Sequence, residues 1–245
     1  MTLDWLLKNL HNRVFPDRNK YYLHVHFCLH SDSHGLDCDC TNEIEHVNQH
    51  VYLGLTIDYC FSFEPHMDKL VKKLRSTNAI LYKLRPYLPL KTRTTIYYAL
   101  VESILTYGIK TWNRSTNRYI DHIITVQNRI VTNLLSHKQN KKYKTTKSKY
   151  QLLNILPVDK LFSYKIIISN YFNDKYKPTN EQRYNTRHDR QMTVPLTFNK
   201  FGDRLDKVLV PKTLNRLPDT LKKLQGIGKV KKEVKKWLSQ IDSFW

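Results

Sequence analysis

Hydrophobic and polar positions follow two different periods in this chain, and the period changes near Ser62. From Tyr21 to His30 the segment YYLHVHFCLH alternates. Tyr21, Leu23, Val25, Phe27 and Leu29 form one face; Tyr22, His24, His26, Cys28 and His30 form the other. A period of two predicts a half-buried strand. The polar run SDSHG predicts a turn, Ile44 to Val47 a second short strand, and Tyr52 to Ile57 a third. Residues 20–60 thus predict a small antiparallel sheet, preceded by the end of a helix at 3–10. Gly54 is out of place inside a strand. It marks a bulge or a point where something large comes close to the backbone.

After Ser62 the period becomes helical. Met67, Leu70, Val71, Leu74 and Leu81 share one face at about 100° per residue, and Lys69, Lys72, Lys73 and Lys83 lie opposite. Pro86 and Pro89 end this helix. A second helix carries Ile96, Tyr97, Leu100, Val101 and Ile104 on one side and stops at Gly108. A third, over 118–136, has the stripe Ile120, Ile123, Ile124, Gln127, Ile130, Val131, Leu134 and Leu135. Amphipathic helices with short connections predict a bundle. Residues 138–149, KQNKKYKTTKSK, carry six Lys and no acid, which predicts a flexible basic linker. Pro157 opens a further helix through Ile166, Ile167, Ile168 and Phe172. Residues 173–195 are polar and irregular, and a basic helix from Lys229 to Gln240 follows. The expected class is α+β, mostly α. Its expected parts are a small sheet in 1–61, a helical bundle in 62–137, the linker 138–149 and a helical extension in 150–245.

Charge changes the picture from a plain helical domain to one that needs a partner. Lys and Arg total 41 against 21 Asp and Glu, a net charge of +20. That much positive charge repels itself unless a polyanion neutralises it. Nucleic acid is the natural polyanion, and the 12% aromatic content suits base stacking. Besides the first helix, Lys141, Lys142, Lys144, Lys147 and Lys149 of the linker are candidate phosphate contacts. No apolar run approaches the ~18 residues of a membrane span. Leu-Asp-Trp-Leu-Leu near the N-terminus has no basic segment before it, so no signal peptide is expected. An intracellular site, nuclear or cytoplasmic, and reduced cysteines follow. His24, His26, Cys28, His30, His34, Cys38, Cys40, His46 and His50 offer a zinc reading. Cys38-Asp39-Cys40 places one residue between thiols where structural zinc sites use two to four, which favours solvated imidazoles and thiols in a turn. No nucleophile constellation and no glycine-rich phosphate loop stands out.

The ordered set of segments resembles a known family. LDWLLKNL is followed by a strand, then YLGLTID, then FEPHMDKLVKKL and LRPYLPLKTRTTIYYALVESILTYGIKTW. VQNRIV, NILPVDKLFSYK, YNTR, Val194-Pro195 and LNRLPDTLKKLQGIGKVKKEVKKWL follow in order. Together they resemble the downstream part of the reverse transcriptase of non-LTR retrotransposons of the jockey-like, LINE type, over nearly the whole chain. The resemblance implies the end of a polymerase palm in 1–61, a thumb in 62–137 and a C-terminal extension after the linker. It places Tyr52, Leu53, Gly54 and Leu55 at the primer grip, where a sugar-phosphate backbone comes close to the protein. It makes Lys69, Lys72, Lys73 and Lys83 thumb contacts to the RNA or DNA backbone of a template-primer.

The family's polymerisation runs on paired palm aspartates that hold Mg²⁺. No Asp-Asp pair occurs here, and DRNK at 17–20 stands where the family usually has Lys-Thr. The expectation is therefore nucleic-acid binding without polymerisation by this chain alone. No cofactor is expected for this chain, Mg²⁺ belonging to the full-length enzyme. The alternatives are a small zinc module at 24–50 and an inert translated remnant of a transposon.

Overall fold

The computed structural model describes residues 11–14, 23–26, 48–113, 117–173, 192–197 and 202–241. Among the described residues the strands form two antiparallel pairs. Strands β1 (His11–Val14) and β2 (Leu23–His26) pair with His11 opposite His26 and Val14 opposite Leu23. Strands β3 (Gln49–Tyr52) and β4 (Leu55–Asp58) pair with Tyr52 opposite Leu55. Strand β2 falls inside the predicted alternation, whereas β1 follows no clear pattern. The expected helix at 3–10 and the expected strand at 44–47 lie outside the described residues.

YLGLTID is not a single strand. The chain reverses at Leu53-Gly54, with φ of 45° and 76°. Positive φ at both central residues is the type I′ hairpin turn, whose twist matches that of the strands it joins. Gly54 is thus a turn residue, and not a bulge within a strand. Alternation concealed the reversal, because a two-residue turn lets a period of two continue on either side. Every residue of β4 is buried, while β3 is exposed apart from half-buried Tyr52.

Asp58 fixes the passage from hairpin to helix. Its carboxylate accepts the backbone N–H of Phe63 at 2.7 Å and of Ser62 at 3.1 Å. These bonds hold a tight turn in which Phe61 and Phe63 both have positive φ. Helix α1 (Glu64–Leu84) then starts with Pro65 in its first turn, where a missing N–H costs nothing. It buries Met67, Leu70, Val71, Leu74 and Leu81 and exposes the four predicted lysines.

The second predicted helix is a continuous rod of three parts. These are α2 (Leu90–Ile96), a π-helical turn (Tyr97–Glu102) and α3 (Ser103–Thr106). Its buried positions are Arg93, Tyr97, Val101 and Leu105, spaced by four. An α-helix would drift off such a stripe. The wider π turn rotates less per residue and keeps these residues in line. Leu100, expected on the apolar face, is 43% exposed for the same reason. Gly108, at φ 59°, turns the chain into α4 (Ile109–Trp112). A Cβ there would lie 2.7 Å from a methyl of buried Leu55, so this turn packs closely on β4.

Helix α5 (Asn117–Leu134) runs parallel to α1. Tyr119 donates to Glu64 at 3.0 Å and Asn133 to Asn78 at 2.9 Å, each pair 55 residues apart. The expected flexible linker is instead two helices, α6 (His137–Lys142) and α7 (Thr146–Leu153). A capping box opens α6: Ser136 Oγ accepts from Gln139 N, and Gln139 Oε1 accepts from Ser136 N. Thr145 caps α7. Lysine is a good helix former, so the six-Lys run does not oppose helix once both ends are capped. Tyr150 and Leu153 of α7 belong to the same hydrophobic core as α1 and α5, so the core continues through the predicted boundary.

Helix α8 (Val158–Asn170) begins after Pro157, as expected. Then come a 3₁₀ turn (Gly202–Arg204), α9 (Asp206–Asn215), α10 (Asp219–Lys222) and α11 (Ile227–Gln240). Helix α11 packs on α8 and buries Val230, Val234 and Leu238. The fold is α+β and mostly α. No described helix is long and apolar enough to cross a membrane.

Candidate nucleic-acid interface

The outer face of α1 is a positive surface that sequence and structure share. Lys69, Lys72, Lys73 and Lys83 are all exposed on it. At a rise of 1.5 Å per residue the stripe is about 21 Å long, roughly six 3.4 Å steps along one nucleic-acid strand. Lys69 Nζ donates to Thr56 Oγ1 at 3.0 Å and so ties the start of the stripe to β4. At the other end stands Tyr82-Lys83-Leu84-Arg85-Pro86-Tyr87. Tyr82 is 58% exposed and Tyr87 82%. Cations interleaved with exposed rings can follow phosphates and stack on bases without reading sequence.

His66 lies beneath the start of this stripe. Its Nδ1 accepts the backbone N–H of Thr56 at 3.4 Å, while Nε2 is buried without a partner. Burial, and then the charge of Lys69, lower its pKa from the ordinary 6.5. Below that value the unfolded chain takes up a proton that the folded chain resists. Stability therefore declines as pH falls through 6.5 toward the lowered folded value. The expected slope approaches about 1.4 kcal/mol per pH unit for this one proton. His66→Asn, which keeps an acceptor near Nδ1, should remove that component. Urea unfolding of both proteins between pH 7.5 and 5 checks this, and equal pH slopes would refute it.

The four hairpin residues divide. Leu55 is fully buried, so its side chain is core and does not face a ligand. Tyr52 is half-buried, and Gly54 and Leu53 are exposed. The group that comes close to Gly54 is Tyr107. Its ring lies 3.5 Å from where a Cβ would stand, and its hydroxyl donates to the Leu53 carbonyl. The tip presents to solvent the Leu53 side chain and the Gly54 backbone. Leu53 is a large residue at positive φ, 56% exposed, so it holds a strained conformation without a core contact to balance it. Asn is the preferred residue at this turn position. Leu53→Asn should raise stability by about 0.5–1 kcal/mol. Denaturant titration checks this, and a loss of stability would assign the Leu53 side chain a packing role.

The second lysine set sits on the two short helices. Lys141, Lys142, Lys144 and Lys147 are exposed; Lys149 is half-buried and donates to Thr132 Oγ1 at 3.3 Å. Lys142 also lies 5.7 Å from the centre of the Tyr143 ring. Helix α6 begins where the α1 stripe ends, because Ser136 and His137 line the same pocket as Lys83 and Arg85. The structure thus brings Lys83 close to the start of the second set and leaves Lys69 at the hairpin. Arg85, Arg93, Tyr82, Tyr87 and His137 join the site unpredicted. The alternation of base and ring in YKLRPY was the readable signal; the burial of Arg93 had none.

No known family model, curated protein or solved structure matches the chain. For the zinc reading, His24 and His26 fall on β2 and His50 on β3, while Cys28, His30, His34, Cys38, Cys40 and His46 lie outside the described residues. Among the described residues no three His, Cys, Asp or Glu side chains converge on a metal position.

Proposed function

We propose that this chain binds nucleic acid through its backbone, without sequence preference, as part of a reverse transcriptase of the non-LTR retrotransposon kind. One observation carries the binding reading. Four exposed lysines form a single stripe opposite the core of α1, starting beside the hairpin and ending among exposed tyrosines and the half-buried Arg85. A lysine head neutralises a phosphate as a point charge and releases condensed counterions, which supplies affinity on any sequence. The strained, exposed tip Leu53-Gly54 supports a primer-grip-like role, since strain held without a packing benefit is commonly kept for function.

The Mg²⁺ pair of the family does not fit the described residues, which offer no converging set of carboxylates, and the chain has no Asp-Asp pair. No polymerisation step is assigned to this chain. The test is fluorescence anisotropy with unrelated duplexes and single strands over about 50–200 mM salt. Log affinity should fall linearly with log salt, at about 0.9 per phosphate contact on duplex and about 0.7 on single strands. Affinity that ignores salt would remove this reading.

A further inference from the structure

We propose that the pocket at the C-terminal end of α1 is an oxyanion site that seats one phosphate group, with Arg93 as its buried anchor. The pocket encloses about 460 Å³ and is lined by Tyr82, Lys83, Arg85, Arg93, Ser136 and His137, with Pro86 beside them. Three of these residues are permanent cations at neutral pH, and among the described residues no carboxylate lines the pocket.

Lys83 and Arg85 have an ordinary explanation. They stand in the last turn and at the C-cap of α1, where positive charge complements the helix dipole. Arg93 has no such explanation. It is 5% exposed, and its Nε and Nη1 are buried with no hydrogen-bond partner. A guanidinium stays charged at any physiological pH, and leaving it buried and unpaired is costly. Burial and the neighbouring charge of Arg85 both press its pKa downward, the direction expected of a cation lacking its counter-ion. A tetrahedral oxyanion in the pocket offsets the repulsion among the three cations and accepts from the edge of the Arg93 guanidinium that lines it. Phosphate fits better than a carboxylate, because Lys83 and Arg85 come from the end of α1 and Arg93 from α2, and a phosphate offers oxygens in several directions.

The source of the phosphate rests on the proposed function. Tyr82 and Lys83 also belong to the α1 stripe, so a strand following that stripe would bring a backbone phosphate to this pocket. A free inorganic phosphate satisfies the same chemistry, and the experiment separates the two.

Thermal unfolding is measured with added inorganic phosphate, against sodium chloride at matched ionic strength, for the full chain and for Arg93→Met. Phosphate should raise the wild-type Tm by about 3 °C beyond chloride and leave the variant unmoved. Without phosphate the variant should be as stable as wild type or more so, because a buried unpaired charge has been removed. Should Arg93→Met fail to fold, Arg85→Gln at the pocket mouth is the second variant, and it should shrink the phosphate effect. Equal shifts with phosphate and chloride would overturn the site. So would a phosphate effect that survives in both variants.

Duplex binding separates the failures. If Arg93→Met loses about tenfold in affinity and about one unit of salt slope, a backbone phosphate occupies the pocket. If phosphate stabilises the chain but Arg93→Met binds duplex like wild type, the oxyanion site stands for a free phosphate and its assignment to the backbone fails. If duplex binds with normal salt dependence yet phosphate does nothing specific, the site fails and the proposed function stands.

Discussion

Replacing Gln127 by Leu should cost about 3–5 kcal/mol of stability, because three buried partners lose their bonds together. Gln127 is fully buried at the middle of α5. Its Nε2 donates to the Tyr97 hydroxyl at 2.9 Å and to the Leu156 carbonyl at 3.0 Å, and its Oε1 accepts from the Val158 N–H at 2.9 Å. One side chain therefore joins the π turn, α5 and the start of α8. Tyr97 is itself fully buried, and burial raises its pKa, so its hydroxyl stays neutral and needs a partner. Each unsatisfied buried group costs roughly 1–3 kcal/mol, with partial relief where a hydroxyl can rotate. Leu keeps the volume, so cavity formation does not confuse the result. Gln151→Leu is the control. Gln151 is exposed, donates to the Ser239 carbonyl at 3.3 Å, and should change stability by no more than about 0.5 kcal/mol. Urea unfolding measures both. A loss under about 1 kcal/mol at Gln127 would mean that these groups find other partners.

Gln127 also shows what could be read beforehand. Its place in the apolar stripe of α5 follows from periodicity alone, as does α1, since amphipathic helices write their buried face into the chain. Its partners could not be read, because Tyr97, Leu156 and Val158 meet it only in the tertiary fold. The misread segments each have a local cause. At Leu53-Gly54 the I′ turn preserved the alternation, and Leu is not a residue that signals such a turn. Along 97–102 the π turn moved the buried face by part of a turn, leaving Leu100 exposed and burying Leu105. In 138–149 charge outweighed the capping box S-x-x-Q, although Ser136 and Gln139 were there to be seen. The lysine stripe was legible because exposed positions need only the helical period. The pocket around Arg93 was not, because KTRTT reads as a polar surface until α6 closes over it.

Neutralising the stripe, Lys69, Lys72, Lys73 and Lys83 together to Gln, should produce the largest functional loss. With four phosphate contacts at about 0.9 each, the duplex salt slope should fall by up to roughly 3.6 units. Near 0.15 M salt this corresponds to a loss of about 10²–10³-fold in affinity, similar on unrelated sequences. Lys69 should contribute least of the four, since its ammonium already donates to Thr56 and would have to share or break that bond. The fold should tolerate the change to within about 0.5 kcal/mol, because all four side chains are exposed. The second set, Lys141, Lys142, Lys144, Lys147 and Lys149 to Gln, is the comparison. A flexible loop would give up ordering entropy on binding and so contribute little. Two capped helices have already met that cost in folding, so the second set should lower the slope by more than a loop would. Lys149 remains the weakest member, held by Thr132. Anisotropy titrations of wild type and both variants at several salt concentrations decide the matter. A slope unchanged in both would move the interface to α11, where Lys229, Lys231, Lys232 and Lys236 are exposed.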